Sequence, residues 1–154
     1  GAQYPKEGSW VVYNEGRVLV AGGGQSAANT YAPTNAAYTV DFRNGTPVVS
    51  STGSMKFARS FANAVALPNG EVLVMGGNNS GVKFSDAGAV LAPEIWNPNT
   101  GTWREVTDGA VPRAYHSVAL LLKDGRVLSA GGGLGGGDHR DGQRLYGWDQ
   151  GDSG

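Results

Sequence analysis

Few residues of this sequence could carry out chemistry, and two of them are adjacent. The chain has two His and no Cys, which excludes thiolate chemistry and a disulfide framework. His116 follows Tyr115 directly, whereas His139 lies in a stretch rich in Gly and Asp, so a Ser-His-Asp set has no positional support. Imidazole and phenolate can both bind a metal, and a phenolate can accept a proton. Taken alone, an adjacent Tyr and His are more often an ordinary strand residue and its hydrogen-bonded neighbour than two metal ligands.

Two other stretches, one rich in Gly and one rich in Asp, have compositions that occur in binding sites. Residues 131–137 are almost all Gly, but a phosphate-binding loop needs a strand before it and a helix after it, and no helical period follows. The acidic residues near the end of the sequence lack the spacing of a calcium loop. We interpret them as a solvated tail; they are Asp138, Asp141, Asp149 and Asp152.

The composition excludes several functional classes. Lys and Arg number 12 against 13 Asp and Glu, giving a net charge of −1 without a basic block, so we expect no nucleic-acid partner. No apolar run approaches the ~18 residues of a membrane span, and no signal peptide opens the sequence, so we expect no membrane partner. With 26 Gly and 7 Pro the chain is not a helix bundle, and 40% hydrophobic residues predict a folded core.

A repeat organises the chain. Residues 16–23 (GRVLVAGG), 70–77 (GEVLVMGG) and 125–132 (GRVLSAGG) share one pattern, and a turn and another apolar run precede each of them, as in a hairpin. The predicted strands are residues 9–13, 17–21, 36–41, 47–50, 62–67, 71–75, 90–97, 102–106, 116–122 and 126–130. Four strands in about 50 residues, with a Gly-Gly and a later Trp, are typical of a kelch blade. The predicted fold class is therefore all-β, with four-stranded antiparallel blades of a kelch-type β-propeller.

The strands account for about two and three-quarter blades. Blade 1 covers about 8–53, blade 2 about 54–108 and an incomplete blade 3 about 109–148, with a candidate strand at 143–148 and a tail at 149–154. We expect Trp96 and Trp103 to pack between blades. Since propellers close with ~4 to 8 blades, the chain is expected to be a piece of a longer polypeptide or a half that pairs with a second copy.

One stretch carries a more specific resemblance. Residues 112–134 (PRAYHSVALLLKDGRVLSAGGGL) closely resemble the last kelch blade of the copper radical oxidases, the galactose oxidase and glyoxal oxidase family. The resemblance extends back through residues 57–61, 64–70, 81–84 and 92–95, and forward to His139, Asp141 and Gln143. It implies a secreted, extracellular oxidoreductase that uses copper and dioxygen to oxidise primary alcohols or aldehydes.

The resemblance also assigns roles to individual residues. It implies that Tyr115 is an axial copper ligand and the catalytic base, that His116 is an equatorial copper ligand, and that Phe84 lines the substrate pocket. No other cofactor is implied. Adjacent residues of an extended strand point to opposite faces, so both side chains can reach one metal only where the strand starts or bends.

Departures from the family pattern limit what this chain can do alone. The family's site also uses a second Tyr cross-linked to a Cys and a second His from a later domain, whereas this chain has no Cys, and His139 matches a position that is not a ligand. A polar pair of galactose oxidases falls at Ala27 and Ala28. We therefore expect the isolated chain to be inactive and to bind copper weakly. Its expected partners are the remaining blades or a second copy, with a carbohydrate or a small alcohol or aldehyde as ligand.

Two alternatives from other classes remain open. The chain could be a non-catalytic kelch module that binds glycan or protein through the loops at 24–35 and 78–89. It could also be an assembly protein whose half-propellers pair into a ring.

Overall fold

The computed structural model describes residues 6–27, 30–82, 85–107 and 111–132. All regular structure in these ranges is β-strand, and none of it forms a helix long and apolar enough to cross a membrane. The strands are β1 (Ser9–Asn14), β2 (Arg17–Ala21), β3 (Gly24–Ala27), β4 (Thr30–Pro33), β5 (Ala37–Asp41), β6 (Val48–Ser51), β7 (Ser60–Ala66), β8 (Val72–Asn78), β9 (Glu94–Asn97), β10 (Thr102–Glu105), β11 (Ser117–Leu121) and β12 (Val127–Gly131).

These strands form two four-stranded antiparallel sheets and two hairpins. The first sheet has the order β1-β2-β5-β6, the second has the order β10-β9-β8-β7, and β11-β12 and β3-β4 pair as hairpins. The prediction of four-stranded antiparallel blades is confirmed. Most predicted strand ends agree within two residues, but the strand predicted at 90–97 starts only at Glu94, and the β3-β4 hairpin was not predicted. The candidate strand at 143–148 lies outside the described residues.

The core lies between the two sheets. Leu19 of the first sheet and Val72 and Val74 of the second are fully buried, with Trp96 packed among them at 2% exposure. The Trp96 ring meets that of Tyr13 edge to face at a centroid distance of 5.0 Å. Replacing a Trp in a core of this kind by Ala lowers the free energy of unfolding by ~3 to 5 kcal/mol.

Both indole N–H groups also join the two sheets. Trp96 Nε1 donates to Thr52 Oγ1 at 3.1 Å, and Trp103 Nε1 donates to the Gly53 carbonyl at 2.6 Å. Trp96 is buried and Trp103 half-buried. The prediction that these two residues pack between blades is confirmed.

One Gly-Gly pair directly follows β2 and another lies inside β8, and both allow the start of the next blade to come close to their backbone. Gly76 and Gly77 have φ of 71° and 82°, which favours Gly. A Cβ at Gly76 would overlap the carbonyl oxygen of Arg113. The Gly77 N–H donates to that same oxygen at 2.6 Å, as the Gly23 N–H donates to the Arg59 oxygen at 2.8 Å. The repeated Gly-Gly is therefore a site of backbone contact between neighbouring blades.

The apolar residues of β11 face solvent on one side. Leu120 pairs with Leu128 just as Val65 pairs with Leu73 in the second sheet. Val65 and Leu73 are 7% and 8% exposed, whereas Leu120 and Leu128 are 57% and 46% exposed. The alternating apolar residues of β11 thus share one face that the described part of the chain leaves uncovered. Their positions are those at which the earlier blades pack against the next one.

We expect this uncovered face to make the chain self-associate at micromolar concentration. Leu120→Asp should shift light-scattering mass towards the monomer, because a charge on the face opposes its burial. Val48→Asp, which alters a 55% exposed residue of the outermost strand β6, is the matched control and should leave the mass distribution unchanged. A wild-type chain that stays a monomer of 15.9 kDa with a cooperative unfolding transition would contradict the expectation.

Candidate functional site

Tyr115 and His116 are the two central residues of a tight turn that leads into β11. The Ser117 N–H donates to the Ala114 carbonyl at 3.0 Å, which closes the turn. His116 has φ of 66°, the positive value that the third residue of a type II turn requires. The first strand of this hairpin was predicted to begin at residue 116, but β11 begins at Ser117. His116 therefore belongs to the turn and not to the strand.

The turn brings the two side chains together. The Tyr115 and His116 rings are stacked, with centroids 3.9 Å apart and an interplanar angle of 27°. On a regular strand adjacent side chains would point to opposite faces. Tyr115 is half-buried and His116 is exposed. The phenol and imidazole rings thus lie side by side at the start of the hairpin.

One extra residue makes room for this turn. In the second sheet Arg59 precedes Ala62 by three positions, and Ala62 pairs with Gly76. In the following hairpin Arg113 precedes Ser117 by four positions, and Ser117 pairs with Gly131. The extra residue therefore lies between the Arg and the first paired residue of the hairpin, where Tyr115 and His116 stand.

Arg113 holds the chain just before the turn. Its carbonyl accepts the Gly77 N–H of the second sheet, and its Nη1 donates to the Gly131 carbonyl at 3.0 Å. Directly after the turn, Asn63 Nδ2 donates to Ser117 Oγ at 2.7 Å. The turn is thus fastened to the second sheet on both sides, so its position depends on how the blades pack.

Arg59 holds the chain just before β7 of the second sheet, as Arg113 does before the turn, and it is completely buried. It donates to the carbonyls of Gly76 and Ala92 at 3.1 and 2.9 Å, and it forms an ion pair with Glu94 at 2.6 Å. Burial lowers the pKa of the Arg59 guanidinium, and the charge of Glu94 and its hydrogen bond oppose that shift. The Glu94 carboxylate also accepts the backbone N–H of Lys56 at 2.6 Å. A buried charge pair of this kind fixes the segment that leads into β7.

The backbone before each first strand adopts the same unusual conformation. Glu7, Phe61 and His116 are the non-Gly residues with positive φ in the described part of the chain, at 57°, 62° and 66°. A bulky residue in this region costs about 1 to 3 kcal/mol and persists only where its surroundings hold it. The three residues occur at corresponding places, one per repeat. The left-handed conformation of His116 is therefore part of the repeat and not an isolated distortion.

A second aromatic ring reaches the pair from the neighbouring sheet. Phe61 is 7% exposed, and its ring meets that of Tyr115 at a centroid distance of 5.3 Å and an interplanar angle of 76°. In the sequence, this residue lies within the stretch 57–61 that resembles the family, and no role was predicted for it. The signal that could have identified it is its place in the repeat, one position before the residue that aligns with Ser117.

Other predicted site residues cannot be located. Phe84 and His139 lie outside the described residues, and Ala28 does as well, while Ala27 ends β3. The loop that leads towards Phe84 starts from a buried Asn78, whose side-chain Oδ1 accepts the Gly81 N–H at 2.8 Å. Within the part of the chain that is described, no three His, Cys, Asp or Glu side chains converge. The Tyr115–His116 turn is therefore the candidate site.

A cavity of about 190 Å³ lies between the second sheet and the β11-β12 hairpin. Met75, Val90 and Arg113 are among its lining residues, which are mostly apolar. Between the first two sheets the corresponding space is filled by Met55, whose Cε lies 3.3 Å from a Cβ built on Gly22. The cavity is thus a gap in the packing between blades, and the described residues that line it form no cluster of metal donors.

Comparison with known proteins identifies relatives over most of the chain. The family described as the glyoxal oxidase N-terminus matches residues 12–136. A galactose oxidase of Gibberella zeae is 37% identical over 131 residues, which are 82% of this chain and 19% of that protein. An aldehyde oxidase GLOX of Vitis pseudoreticulata is 32% identical over 143 residues, 83% of this chain and 27% of that protein. The chain therefore spans about a fifth to a quarter of the length of these relatives.

Two solved structures resemble the fold. A novel fungal alcohol oxidase with catalytic diversity among the AA5 family, in complex with copper, superposes with a TM-score of 0.79 at 33% identity, covering 91% of this chain and 29% of that one. A structure of YjhT superposes with a TM-score of 0.63 at 19% identity, covering 84% and 34%. The second likeness shows the fold alone. Together with the sheets described above, the first supports blades of a β-propeller.

The left-handed conformation of His116 can be tested by substitution. Because Gly adopts this conformation freely and Ala does not, we expect His116→Gly to be more stable than His116→Ala by about 1 kcal/mol in urea unfolding. Ala119 in β11 is the control, since Ala119→Gly should instead lower stability by roughly 0.5 to 1 kcal/mol. A His116→Gly chain less stable than His116→Ala would show that residue 116 is not left-handed.

Proposed function

The chain belongs to the glyoxal oxidase N-terminal family and is a copper radical oxidase-like segment, and from this premise we propose that its Tyr115–His116 turn supplies part of a copper site. The site would serve the oxidation of primary alcohols or aldehydes by dioxygen. The observation that carries the proposal is the stacking of the two rings at a strand start. Without that geometry, adjacent residues could not serve one metal.

The donor chemistry of the turn fits copper. Imidazole and phenolate are nitrogen and oxygen ligands of the kind that tetragonal copper(II) accepts. The exposure of His116 leaves its ring accessible to an incoming ion. The turn provides two donors, and this chain has no Cys for a Tyr-Cys cross-link. We therefore propose that the remaining ligands come from other parts of the assembled protein.

Each residue of the turn has a distinct part in the proposed reaction. Bound copper would supply the redox chemistry that moves electrons from substrate to dioxygen. His116, as neutral imidazole, holds the metal through a ring nitrogen. Tyr115, as phenolate, takes the hydroxyl proton of the alcohol at its oxygen. Stacking on His116 limits rotation of the phenol ring, so the oxygen stays beside the metal position during proton transfer.

The substrate we propose is a small primary alcohol or an aldehyde, with carbohydrate as a further possibility. Relatives carry the names galactose oxidase and aldehyde oxidase. Ala27 and Ala28 replace a polar pair of galactose oxidases, so galactose would lose hydrogen-bond partners here. Phe84 is proposed to contribute an aromatic wall to the pocket.

The uncovered face of the β11-β12 hairpin bears on the partners. Leu120 and Leu128 lie where the earlier blades bury equivalent residues against the following blade. We propose that further blades, or a second copy of the chain, cover this face, and that the divisions near residues 53 and 108 separate blades. By analogy with the family, we also propose an extracellular location.

A second candidate function is a kelch module without catalysis that binds glycan or protein through the loops at 24–35 and 78–89. The absence of Cys and the two alanines at 27 and 28 favour it. On this candidate the Tyr115–His116 turn is a structural feature of the hairpin and has no affinity for copper.

Competition titration of Cu(II) against a chelating indicator tests the proposal. We expect the chain to bind one Cu(II) weakly and exchangeably, and His116→Ala to weaken binding at least about tenfold, because a ligand is lost. Tyr115→Phe removes the oxygen donor and should weaken binding less. His139→Ala, which removes the other His, is the matched control and should leave the affinity unchanged.

Two results would contradict parts of this account. Equal copper affinity in wild type and His116→Ala, with His139→Ala weakened, would move the metal away from the turn and favour the non-catalytic module. Stoichiometric copper that survives dialysis against a chelator, or a stable tyrosyl radical, would show that the chain alone assembles a complete site.

A further inference from the structure

We propose that Phe61 is a positioning residue for Tyr115: its ring, supplied by the neighbouring sheet, holds the phenol in the orientation that lets the phenol oxygen and His116 serve one metal ion. This inference rests on the proposed copper function. It adds a residue that acts through Tyr115.

The contact geometry supports this role. Phe61 meets Tyr115 nearly perpendicularly, at 76° and a centroid distance of 5.3 Å, while His116 stacks on Tyr115 at 27° and 3.9 Å. The Phe61–Tyr115 distance lies in the range of favourable aromatic pairs, about 4.5 to 7 Å between centroids, and the Tyr115–His116 rings lie closer together. The Tyr115 ring is thus in contact with one ring of its own turn and one ring of the preceding blade. Two such contacts in different directions restrict rotation of the phenol about its side-chain bonds.

Phe61 is itself held firmly. It is 7% exposed, and its N–H donates to the Glu7 carbonyl of the first blade at 3.0 Å. Arg59, two residues earlier, is anchored by its buried ion pair with Glu94. A ring on a fixed backbone restricts the orientation of a neighbouring ring better than a ring on a mobile loop does. The position of Tyr115 is therefore tied to the first and second blades as well as to its own turn.

The backbone conformation of Phe61 belongs to the repeat, since Glu7 and His116 adopt the same positive φ at corresponding places. In the second blade this position carries a large ring, which meets Tyr115 across the boundary between two blades.

The test compares Phe61→Leu with Phe57→Leu in the whole chain. Both remove one phenyl ring from the same segment, but the Phe57 ring lies 5.1 Å from the Lys56 ammonium and serves as the control. Two readouts are used: the NMR shifts of the Tyr115 ring protons without metal, and Cu(II) affinity by competition. Phe61→Met is a second variant for the case in which Phe61→Leu fails to fold.

We expect Phe61→Leu or Phe61→Met to shift the Tyr115 resonances, because the ring current of Phe61 is lost, and to weaken Cu(II) binding about tenfold. Phe57→Leu should change neither. Unchanged Tyr115 resonances in a folded Phe61 variant, or equal effects of the two Phe substitutions, would overturn the role of Phe61.

The two readouts separate this inference from the proposed function. If the wild-type chain binds no Cu(II) at the turn, the copper function fails, while the metal-free NMR comparison still decides whether the Phe61 ring contacts Tyr115 in solution. If copper binds through His116 but Phe61→Leu leaves its affinity unchanged, the function stands and the positioning role is wrong.

Discussion

Close backbone contact between neighbouring blades is the constraint on which the rest of this structure depends. The carbonyls of Arg59 and Arg113 each accept an N–H from a Gly-Gly pair of the preceding blade, and a Cβ at Gly76 would overlap the second of these oxygens. Any larger residue at these glycines would push the blades apart and expose the core around Trp96. The repeated glycines therefore set the spacing of the blades, and through it the place of every side chain that crosses between them.

The candidate site follows from that spacing. Because Arg113 is fixed against the second sheet, the one extra residue before Ser117 cannot be absorbed by sliding the hairpin and becomes a turn. The turn then places Tyr115 and His116 side by side, within reach of Phe61 from the second sheet. The buried Arg59–Glu94 pair costs desolvation, and its hydrogen bonds to the carbonyls of Gly76 and Ala92 make it a fixed point for the Phe61 segment. Packing and chemistry thus share the same few contacts.

Much of the fold could be predicted from the sequence, because repeated Gly-Gly segments and apolar runs reveal hairpins directly. The stated condition that Tyr115 and His116 need a strand start or bend agrees with the turn found there. The repeats are offset by 54 and then 55 residues, which indicates one extra residue, but an offset alone does not say where that residue is inserted. The apolar run of β11 is plain in the sequence, yet a sequence pattern cannot show whether another layer covers Leu120. Phe61 was missed because its contact joins residues of different blades.

Anomalous diffraction at the copper absorption edge, from crystals of the chain grown with Cu(II), tests whether the Tyr115–His116 turn binds copper. We expect one peak bonded to a His116 ring nitrogen and adjacent to the Tyr115 oxygen, at the start of the β11-β12 hairpin. A peak at His139 or among the acidic residues of the C-terminal stretch, with the Tyr115–His116 turn unbound, would contradict it.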